Sequence, residues 1–575
     1  MSKKIIRRTQ PSELFVSHDL HPLLQRIYSV RGITSSAELE RGLEKLLPYR
    51  DLMGIDQAVT CLAAVLQAQQ KILIVGDFDA DGATSTAVAI RALRSFGALH
   101  VDFLVPNRFA FGYGLTPELV EVAQREFSPA VIITVDNGIS NHAGVARAKA
   151  FGMKVVVTDH HLPGPTLPEA DVIVNPNQHH DIFPSKNLAG VGVVFYVMLA
   201  LRRHLLEKNW FTEKNLPEPN MSKLLDIVAL GTVADVVPLD QNNRILVYQG
   251  LRRIRAGQCV PGITALLEIA GRHQTRLVAA DLGFAVGPRL NAAGRLDDMS
   301  LGINCLLTDD ITKARKIAAM LSDLNEERRT IEQEMQQQAL AILTKFQPEK
   351  NERMPTGISL FDDQWHQGVI GILASRIKDR FHRPVIAFAP ASDDQIKGSA
   401  RSIPGLHIRD ALAEIATRYP QLIDKFGGHA MAAGLTLSRS AFDNFAKAFD
   451  EVVSRHLTEE QLHNCVISDG ELSHSDLTLD VAEVLREAGP WGQAFPEPLF
   501  DGTFEILEQR LVGNKHLKMV LMKEGQPIDA IAFNIDINAW PNHRCERVHI
   551  AYRMDVNEFR GRRTVQLIVE HLAEG

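Results

Sequence analysis

Cysteine is scarce and scattered in this chain. The five present in 575 residues, Cys61, Cys259, Cys305, Cys465 and Cys545, form no C-x-x-C pair. That excludes a zinc ribbon and a disulfide framework and fits a reducing compartment. Long apolar runs are missing too: the longest, residues 193–201, falls well short of the ~20 residues that a membrane-spanning helix takes. The basic start MSKKIIRRTQ lacks the apolar stretch of a secretory signal, so a cytoplasmic protein without membrane attachment is expected. There is no internal repeat or low-complexity tract. Nor is there an excess of positive charge: 62 Lys and Arg stand against 69 Asp and Glu, a net charge of −7. Taken alone, that total argues against a nucleic-acid partner, because phosphate backbones are bound chiefly through cations. The total conceals its distribution, since acidic ligands gathered in one place subtract from basic clusters elsewhere, at LRRH (201–204), LRRIR (251–255) and FRGRR (559–563). Each of these clusters, by itself, is more simply a solvated face.

What the chain does contain is organised. Its length exceeds what one hydrophobic core holds and points to about three or four domains. Between residues 71 and 175, β-type runs alternate with helical segments: KILIV, VDFLV, VIITV, KVVVT and DVIVN, with helices expected over 83–95 and from about 141. This alternation predicts a parallel sheet with covering helices. Residues 311–346 contain neither Pro nor Gly and predict one long helix bridging two lobes. A second α/β pattern follows to about residue 456. Five short alternating strands after residue 499 suggest a small β-barrel of the OB type.

The stretch VGDFDADG (75–82) has the look of an EF-hand calcium loop, with Asp77, Asp79 and Asp81 at every second position. Counting removes that reading. The twelfth position is Val88, which cannot ligate, and the preceding KILIV reads as a buried strand rather than a helix. Strand, acidic turn, helix remains.

In an open parallel sheet, ligands gather beyond the carboxyl ends of the strands. Three strands here end in metal-competent residues: Asp77, Asp79 and Asp81 after KILIV, Asp136-Asn137-Gly138 after VIITV, and Asp159-His160-His161 after KVVVT. If those strands are neighbours, their carboxylates converge on one rim and repel one another unless cations neutralise them. Oxygen-rich ligation with one or two imidazoles suits Mn²⁺ or Mg²⁺ better than zinc. Asp235, in the otherwise apolar GTVADVVPL, is a fourth contributor, since a lone charge there would be costly unless paired or metal-bound.

VGDFDADG, TVDNG, TDHH and GTVADVVPL resemble the four motifs of the DHH phosphoesterase superfamily, and FGGHAMAAG (426–434) resembles the signature of its associated substrate-binding domain. Five motifs in the expected order make the likeness specific, and it extends along essentially the whole chain to the single-strand-specific bacterial exonucleases of that superfamily. The resemblance implies an α/β fold: a DHH domain with an N-terminal extension over 1–310, a connecting helix over 311–350, a substrate-binding domain over 351–460 and an OB-like barrel over 461–575. It also implies a two-metal centre, with Asp79, Asp81, Asp136, His160 and Asp235 as ligands and Asp136 bridging. Asp77 would be auxiliary, Asp159 would orient an imidazole, and His161 would meet the scissile phosphate. The family usually has Tyr where Phe78 stands, so no hydroxyl is expected at that position.

Two divalent ions ~4 Å apart stabilise both the attacking and the leaving oxygen of in-line displacement at phosphorus, so no Ser or Cys nucleophile is required. The resemblance implies a substrate of single-stranded DNA degraded from its 5′ end to 5′-mononucleotides in repair and recombination, a monomeric enzyme, and cooperation with a single-strand-binding protein and a helicase. Arg108, Ser399 and Arg401 match positions that grip a 5′ phosphate, where the planar Arg fork suits phosphate oxygens. Gly427, Gly428 and His429 offer a backbone and imidazole contact to phosphate, or else a glycine-mediated helix-packing turn. Arg289, Arg295 and Arg376 are further phosphate contacts or structural ion pairs. Phe109, Phe111 and Tyr113 stack on bases or pack in the core. A passage between two lobes would admit one strand and exclude a duplex. The barrel would extend that path or dock another protein. Two alternatives stand beside this reading: a DHH-type phosphodiesterase of short oligonucleotides or cyclic dinucleotides, which is typically about half this length, and a replication scaffold without catalysis, which would have lost the acidic ligands.

Overall fold

The computed structural model describes residues 3–106, 111–343, 354–392, 394–513, 515–537, 539–559 and 561–575. The chain divides into two compact units, one of residues 10–325 with 483–498, the other of residues 1–9, 326–482 and 499–575.

The first unit is built on a five-stranded sheet that is parallel throughout. Its spatial order is Val101–Leu104, Ile72–Gly76, Val131–Val135, Lys154–Thr158, Val172–Val174. The Ile72–Gly76 and Val131–Val135 strands are buried at every residue, which is why these runs are continuously apolar instead of alternating. Leu73, Val75, Ile132, Val155 and Val157 meet Leu119, Val120, Val145 and Ala148 of the covering helices in one core. From Ile72–Gly76 the chain proceeds to one side of the sheet and then returns to the other, so the order reverses between this strand and Val131–Val135. Such a switch point opens a crevice at the carboxyl ends.

The helix after the first acidic stretch spans Ala80–Ser95, three residues earlier than the apolar spacing predicts. Asp79 is its N-cap, accepting from the backbone N–H of Asp81 and Gly82 at 2.9 and 3.0 Å, so the acidic turn is the first turn of the helix itself. Helices Gly190–Glu207 and Leu225–Ala234 pack against it, and all three are apolar around most of their circumference, as buried helices are.

The second unit holds a mixed five-stranded sheet, in the order Lys425–Gly428, Ala432–Ser438, Gln395–Arg401, Val385–Pro390, Ile358–Phe361. Its core gathers Phe388, Phe445 and Phe449. The five predicted C-terminal strands close into a barrel, Phe500–Val512, His516–Lys523, Gln526–Ala532, Arg562–Glu574 and Arg547–Phe559 in spatial order.

Three segments lie elsewhere than the sequence pattern suggests. The first strand, Lys4–Arg7, was expected within an N-terminal domain but pairs in parallel with Cys465–Ser468. The Arg7 guanidinium clasps buried Asp501 at 2.7 to 3.1 Å, which ties that strand to the barrel. Residues 483–498 fall in the first unit, not the barrel: Trp491 and Phe495 stack with Tyr28, and Leu239 N donates to Gln493 O at 2.8 Å. The long helix spans Ile311–Leu343, and the division between the units falls inside it; residues 344–353 lie outside the described ones. Among the described residues no helix is long and apolar enough to cross a membrane.

Candidate metal centre

The register of the parallel sheet sets out the site. Gly76 pairs with Val135, and Val135 with Thr158, so three neighbouring strands end level. The residues that follow are Asp77, Asp136 and Asp159, all buried and all emerging at the same rim. Asp136 has φ 61°, in the left-handed region that non-glycine residues enter rarely. Asn137 supports that turn, its amide donating to Val75 O at 3.0 Å and to Val135 O at 2.9 Å, which binds the two strand ends together.

Asp79 and Asp81 arrive on the first turn of helix Ala80–Ser95. Asp81 is held by a second helix: Gly190 N and Val191 N donate to its two carboxylate oxygens at 2.6 and 2.9 Å. These are free donors of a helix N-terminus, where negative charge is favoured. Gly190 is required by space, because a methyl group there would stand 2.6 Å from Asp136 Cβ. Asp235 comes from the C-terminal end of helix Leu225–Ala234. That helix approaches through Gly231, where a methyl would meet Thr84 Oγ1 at 2.1 Å.

His160 Nε2 lies 3.1 Å from Asp136 Oδ1, 3.5 Å from Asp235 Oδ2 and 3.9 Å from Asp81 Oδ2. Among the described residues, three sets of ligand atoms each fall within 4.8 Å of one another: Asp77, Asp79 and Asp136; Asp81, His160 and Asp235; and Asp136, His160 and His161. The first two sets share no residue and adjoin at the Asp136–His160 approach. Asp77 therefore stands inside a ligand set, with the same geometric standing as Asp79.

The electrostatics fit a divalent-cation site. Burial, and then the neighbouring carboxylates, push Asp136 and Asp235 well above the usual carboxylate range; burial and Asp79 push Asp81 up to about 7. Among the described residues no group makes a well-aligned hydrogen bond to buried Asp136 Oδ1, the 3.1 Å approach of His160 Nε2 included. Carboxylates so placed are ionised at neutral pH only beside a cation, and a donor set of oxygens with imidazole suits Mn²⁺ or Mg²⁺.

Asp159 behaves differently. Although burial raises it, the hydrogen bond and charge of His161 and the N–H of Ile139 bring it below the ordinary value. Its Oδ1 lies 2.7 Å from His161 Nδ1 and accepts from His160 N and His161 N. The same pairing, against the penalty of burial, pushes His161 up to about 9. Asp159 thus organises both histidines, and the imidazole it orients is that of His161.

Tyr113 was foreseen only as a stacking or core residue. Its hydroxyl donates to Asp136 O at 3.2 Å and lies 3.3 Å from His161 Nδ1, while its ring meets Phe78 edge-on at 6.0 Å. A phenolic hydroxyl therefore stands beside Phe78 from another part of the chain. No spacing in the sequence links the two positions. Phe111 is half-buried and packs against the sheet core, and Arg108 and Phe109 lie outside the described residues.

The expected phosphate contacts fall into both units. In the first, Arg289 donates from Nη1 to Ala285 O at 2.6 Å, and Arg295 is half-buried on the same helix, Gly287–Leu296. In the second, Ser399 and Arg401 share strand Gln395–Arg401. Arg401 Nη1 donates to Ser399 Oγ at 3.1 Å and to Ala400 O at 2.8 Å, and burial lowers its pKa. Gly427 and Gly428 close strand Lys425–Gly428, a hairpin with Ala432–Ser438, and His429 N donates to Ala432 O across its turn. The glycines thus belong to a β-hairpin rather than a helix-packing turn. Ser399 pairs with Gly434 and Arg401 with Ala432, so this sheet carries Ser399, Arg401 and the GGH segment on adjacent strands. Arg376 is half-exposed and donates to Glu332 at 2.7 Å. Two of the three basic runs make contacts within the protein: Arg202 with Glu218, Arg203 with Glu207, and Arg255 with Leu277 O.

A parallel sheet whose level strand ends present Asp and His, followed by a mixed sheet and a barrel, defines a DHH-type phosphoesterase. Residues 71–232 match the DHH family N-terminal domain, 354–455 the DHHA1 domain and 468–571 the RecJ OB domain. The chain is 55% identical over 572 residues to the single-stranded-DNA-specific exonuclease RecJ of Salmonella typhimurium, covering 99% of each chain, and 57% identical over 569 residues to that of Dickeya dadantii, covering 99% of this chain and 98% of the relative. It belongs to the RecJ family. The structure of RecJ from Thermus thermophilus in complex with Mn²⁺ superposes with a TM-score of 0.78 at 31% identity, covering 97% of this chain and 76% of that one. The corresponding Mg²⁺ complex gives 0.73 at 28% identity, covering 97% and 75%.

Proposed function

We propose that this chain is a metal-dependent exonuclease that hydrolyses single-stranded DNA from the 5′ end, releasing 5′-mononucleotides in DNA repair and recombination. The observation that carries this reading is the adjoining of two ligand sets, Asp77–Asp79–Asp136 and Asp81–His160–Asp235, at one sheet rim. These residues would hold two Mn²⁺ or Mg²⁺ ions, which when bound stabilise the attacking and leaving oxygens of in-line phosphoryl displacement.

The protein's own groups fix that arrangement. Asp136, nearest to His160, is the residue suited to both ion positions. The N–H groups of Gly190 and Val191 hold Asp81 in one orientation, so it is preorganised and needs no rearrangement on binding. Asp159 keeps the His161 imidazole protonated and aimed, which suits donation to a non-bridging phosphate oxygen. Ser399, Arg401, Gly427, Gly428 and His429 would receive the 5′ phosphate; in the other unit Arg108, Arg289 and Arg295 are phosphate candidates, whereas Arg376, paired with Glu332, serves the structure.

A nuclease of short oligonucleotides or cyclic dinucleotides is the nearest rival, and the full-length likeness to single-strand-specific exonucleases favours a polymer. A non-catalytic scaffold is disfavoured because every acidic ligand is retained. We place the enzyme in the cytoplasm as a monomer, supplied with substrate by a helicase and a single-strand-binding protein. The test is release of mononucleotides from a 5′-labelled single strand in Mn²⁺. Asp136→Ala should abolish release while single-strand binding survives; unaltered turnover would remove Asp136 from the mechanism.

A further inference from the structure

Helix Gly287–Leu296 runs along the rim of the metal centre. A methyl at Gly287 would stand 3.2 Å from Ala234 Cβ, Asn291 Oδ1 accepts from Ala80 N at 2.8 Å, and a methyl at Gly294 would lie 1.7 Å from Phe78 O. Positions 287, 291 and 294 are one stripe of the helix. That stripe faces Ala234, which immediately precedes Asp235, and the first acidic turn. One turn ahead of Gly287, the chain makes a π-helical turn, Leu282–Val286. Such turns are rare and concentrate at functional sites. At its centre is Phe284, 79% exposed, the highest value among the large hydrophobic side chains of the described residues.

A second anomaly stands beside it. Val236, the residue after Asp235, is 61% exposed and has φ 62°, a conformation in which a β-branched residue is a genuine outlier. A helix end of this shape usually takes Gly at that position. Gly283, next to Phe284, lies against Val233 of the same helix, where a methyl would be 3.2 Å from Val233 Cγ1. Val236 directly follows Asp235, and Phe284 directly follows the glycine packed on Val233 of the helix that ends at Asp235; burial within the unit accounts for neither side chain. Among the described residues Phe284 makes no ring or cation contact, so its aromatic face is open.

We propose that Phe284, on the segment packed against the helix that ends at Asp235, is a base-stacking platform that positions the bound strand at the metal centre. This rests on the strand-cleaving function proposed above. The occupant is a nucleobase, because an exposed ring on the turn whose Ala285 carbonyl accepts from Arg289, near a cation-binding rim that receives phosphate, has the uncharged, flat part of a nucleotide within its reach. A π-face accepts any base, so the contact is indifferent to sequence, as a degrader of mixed sequence requires. Phe284 is a positioning residue: it touches no reacting atom and acts by fixing where the scissile phosphate falls.

The experiment uses the full chain in Mn²⁺ with 5′-phosphorylated single strands in which one abasic site is moved stepwise from the 5′ end. For the wild type, KM should rise at one abasic position. Phe284→Ala should raise KM on the intact strand roughly tenfold with kcat little changed, and should be insensitive to the abasic site at that position. Phe284→Trp should keep the wild-type profile. Phe284→Leu, which retains bulk without an aromatic face, should share the alanine phenotype. The proposal is overturned by a Phe284→Ala enzyme whose KM stays within about twofold of wild type, by a variant that retains the wild-type abasic profile, or by a leucine variant that behaves as wild type. Release of no nucleotide from any strand by the wild-type enzyme would instead sink the function on which the proposal rests, and the proposal with it.

Discussion

The rim of the parallel sheet and the hairpin sheet of the second unit both carry residues expected to meet phosphate, yet they are built on opposite principles. At the rim, Asp77, Asp81, Asp136 and Asp159 are buried side chains of one charge sign, and the shifts of Asp81 and Asp136, like that of Asp235, depend on their acidic neighbours. On the hairpin sheet, Gly427 and His429 are exposed, and Arg401 is held by Ser399 and its own strand, with no acidic partner among the described residues. The rim is an electrostatic unit that is completed by cations, whereas on the proposed reading the hairpin sheet offers separate donors to an anion. Substitutions should therefore be strongly non-additive at the rim and nearly additive on the hairpin.

The largest expected effect tests the rim as a unit. Asp136→Ala should lower turnover by about a thousandfold or more, and adding Asp81→Ala should cost little further, since groups that act together fail together. Multiplying losses in steady-state rates would break the contrast. Asp159→Ala should come next, at about 10- to 100-fold in activity or Mn²⁺ affinity, because it organises His161 and both histidine backbones from behind; a manganese titration followed by activity reads this.

The third effect concerns pH. Asp81 remains protonated in the folded, cation-free protein up to about 7, and Asp136 and Asp235 are raised as well, whereas carboxylates of the unfolded chain ionise near pH ~4. Between those values the unfolded state binds fewer protons, so this contribution to stability falls as pH rises. Melting temperatures in a chelator should decline from about pH 5 to about pH 7.5 relative to those in Mn²⁺, and the gap should widen with pH as the ligands ionise onto the metal. A gap independent of pH would show that the rim carries no shifted carboxylates.

Arg401→Ala should act on binding alone, raising KM roughly tenfold for a 5′-phosphorylated strand and leaving a 5′-hydroxyl strand unaffected. Equal losses on both would separate Arg401 from the terminal phosphate. The smallest effect is expected at Arg376, whose exposed guanidinium pairs with Glu332. Its alanine variant should lose less than about 1 kcal/mol by thermal melting. A KM change larger than that of Arg401→Ala would move Arg376 from structural pairing into the phosphate grip.

The sequence alone determined the strands of the parallel sheet and barrel, and the acidic and imidazole groups that follow KILIV, VIITV and KVVVT. Hydrophobic periodicity and strand-end chemistry are local, and a charge cluster beside a buried strand is conspicuous wherever the chain goes next. Only the tertiary structure decided that Gly190 and Val191 hold Asp81, that Tyr113 brings a hydroxyl beside Phe78, that Asp77 stands inside a ligand set, and that residues 3–9 and 483–498 belong to a different unit from the segments adjoining them in sequence. Each of those is a meeting of segments distant along the chain. Packing and strand register set such meetings, and no periodicity within either segment records its partner.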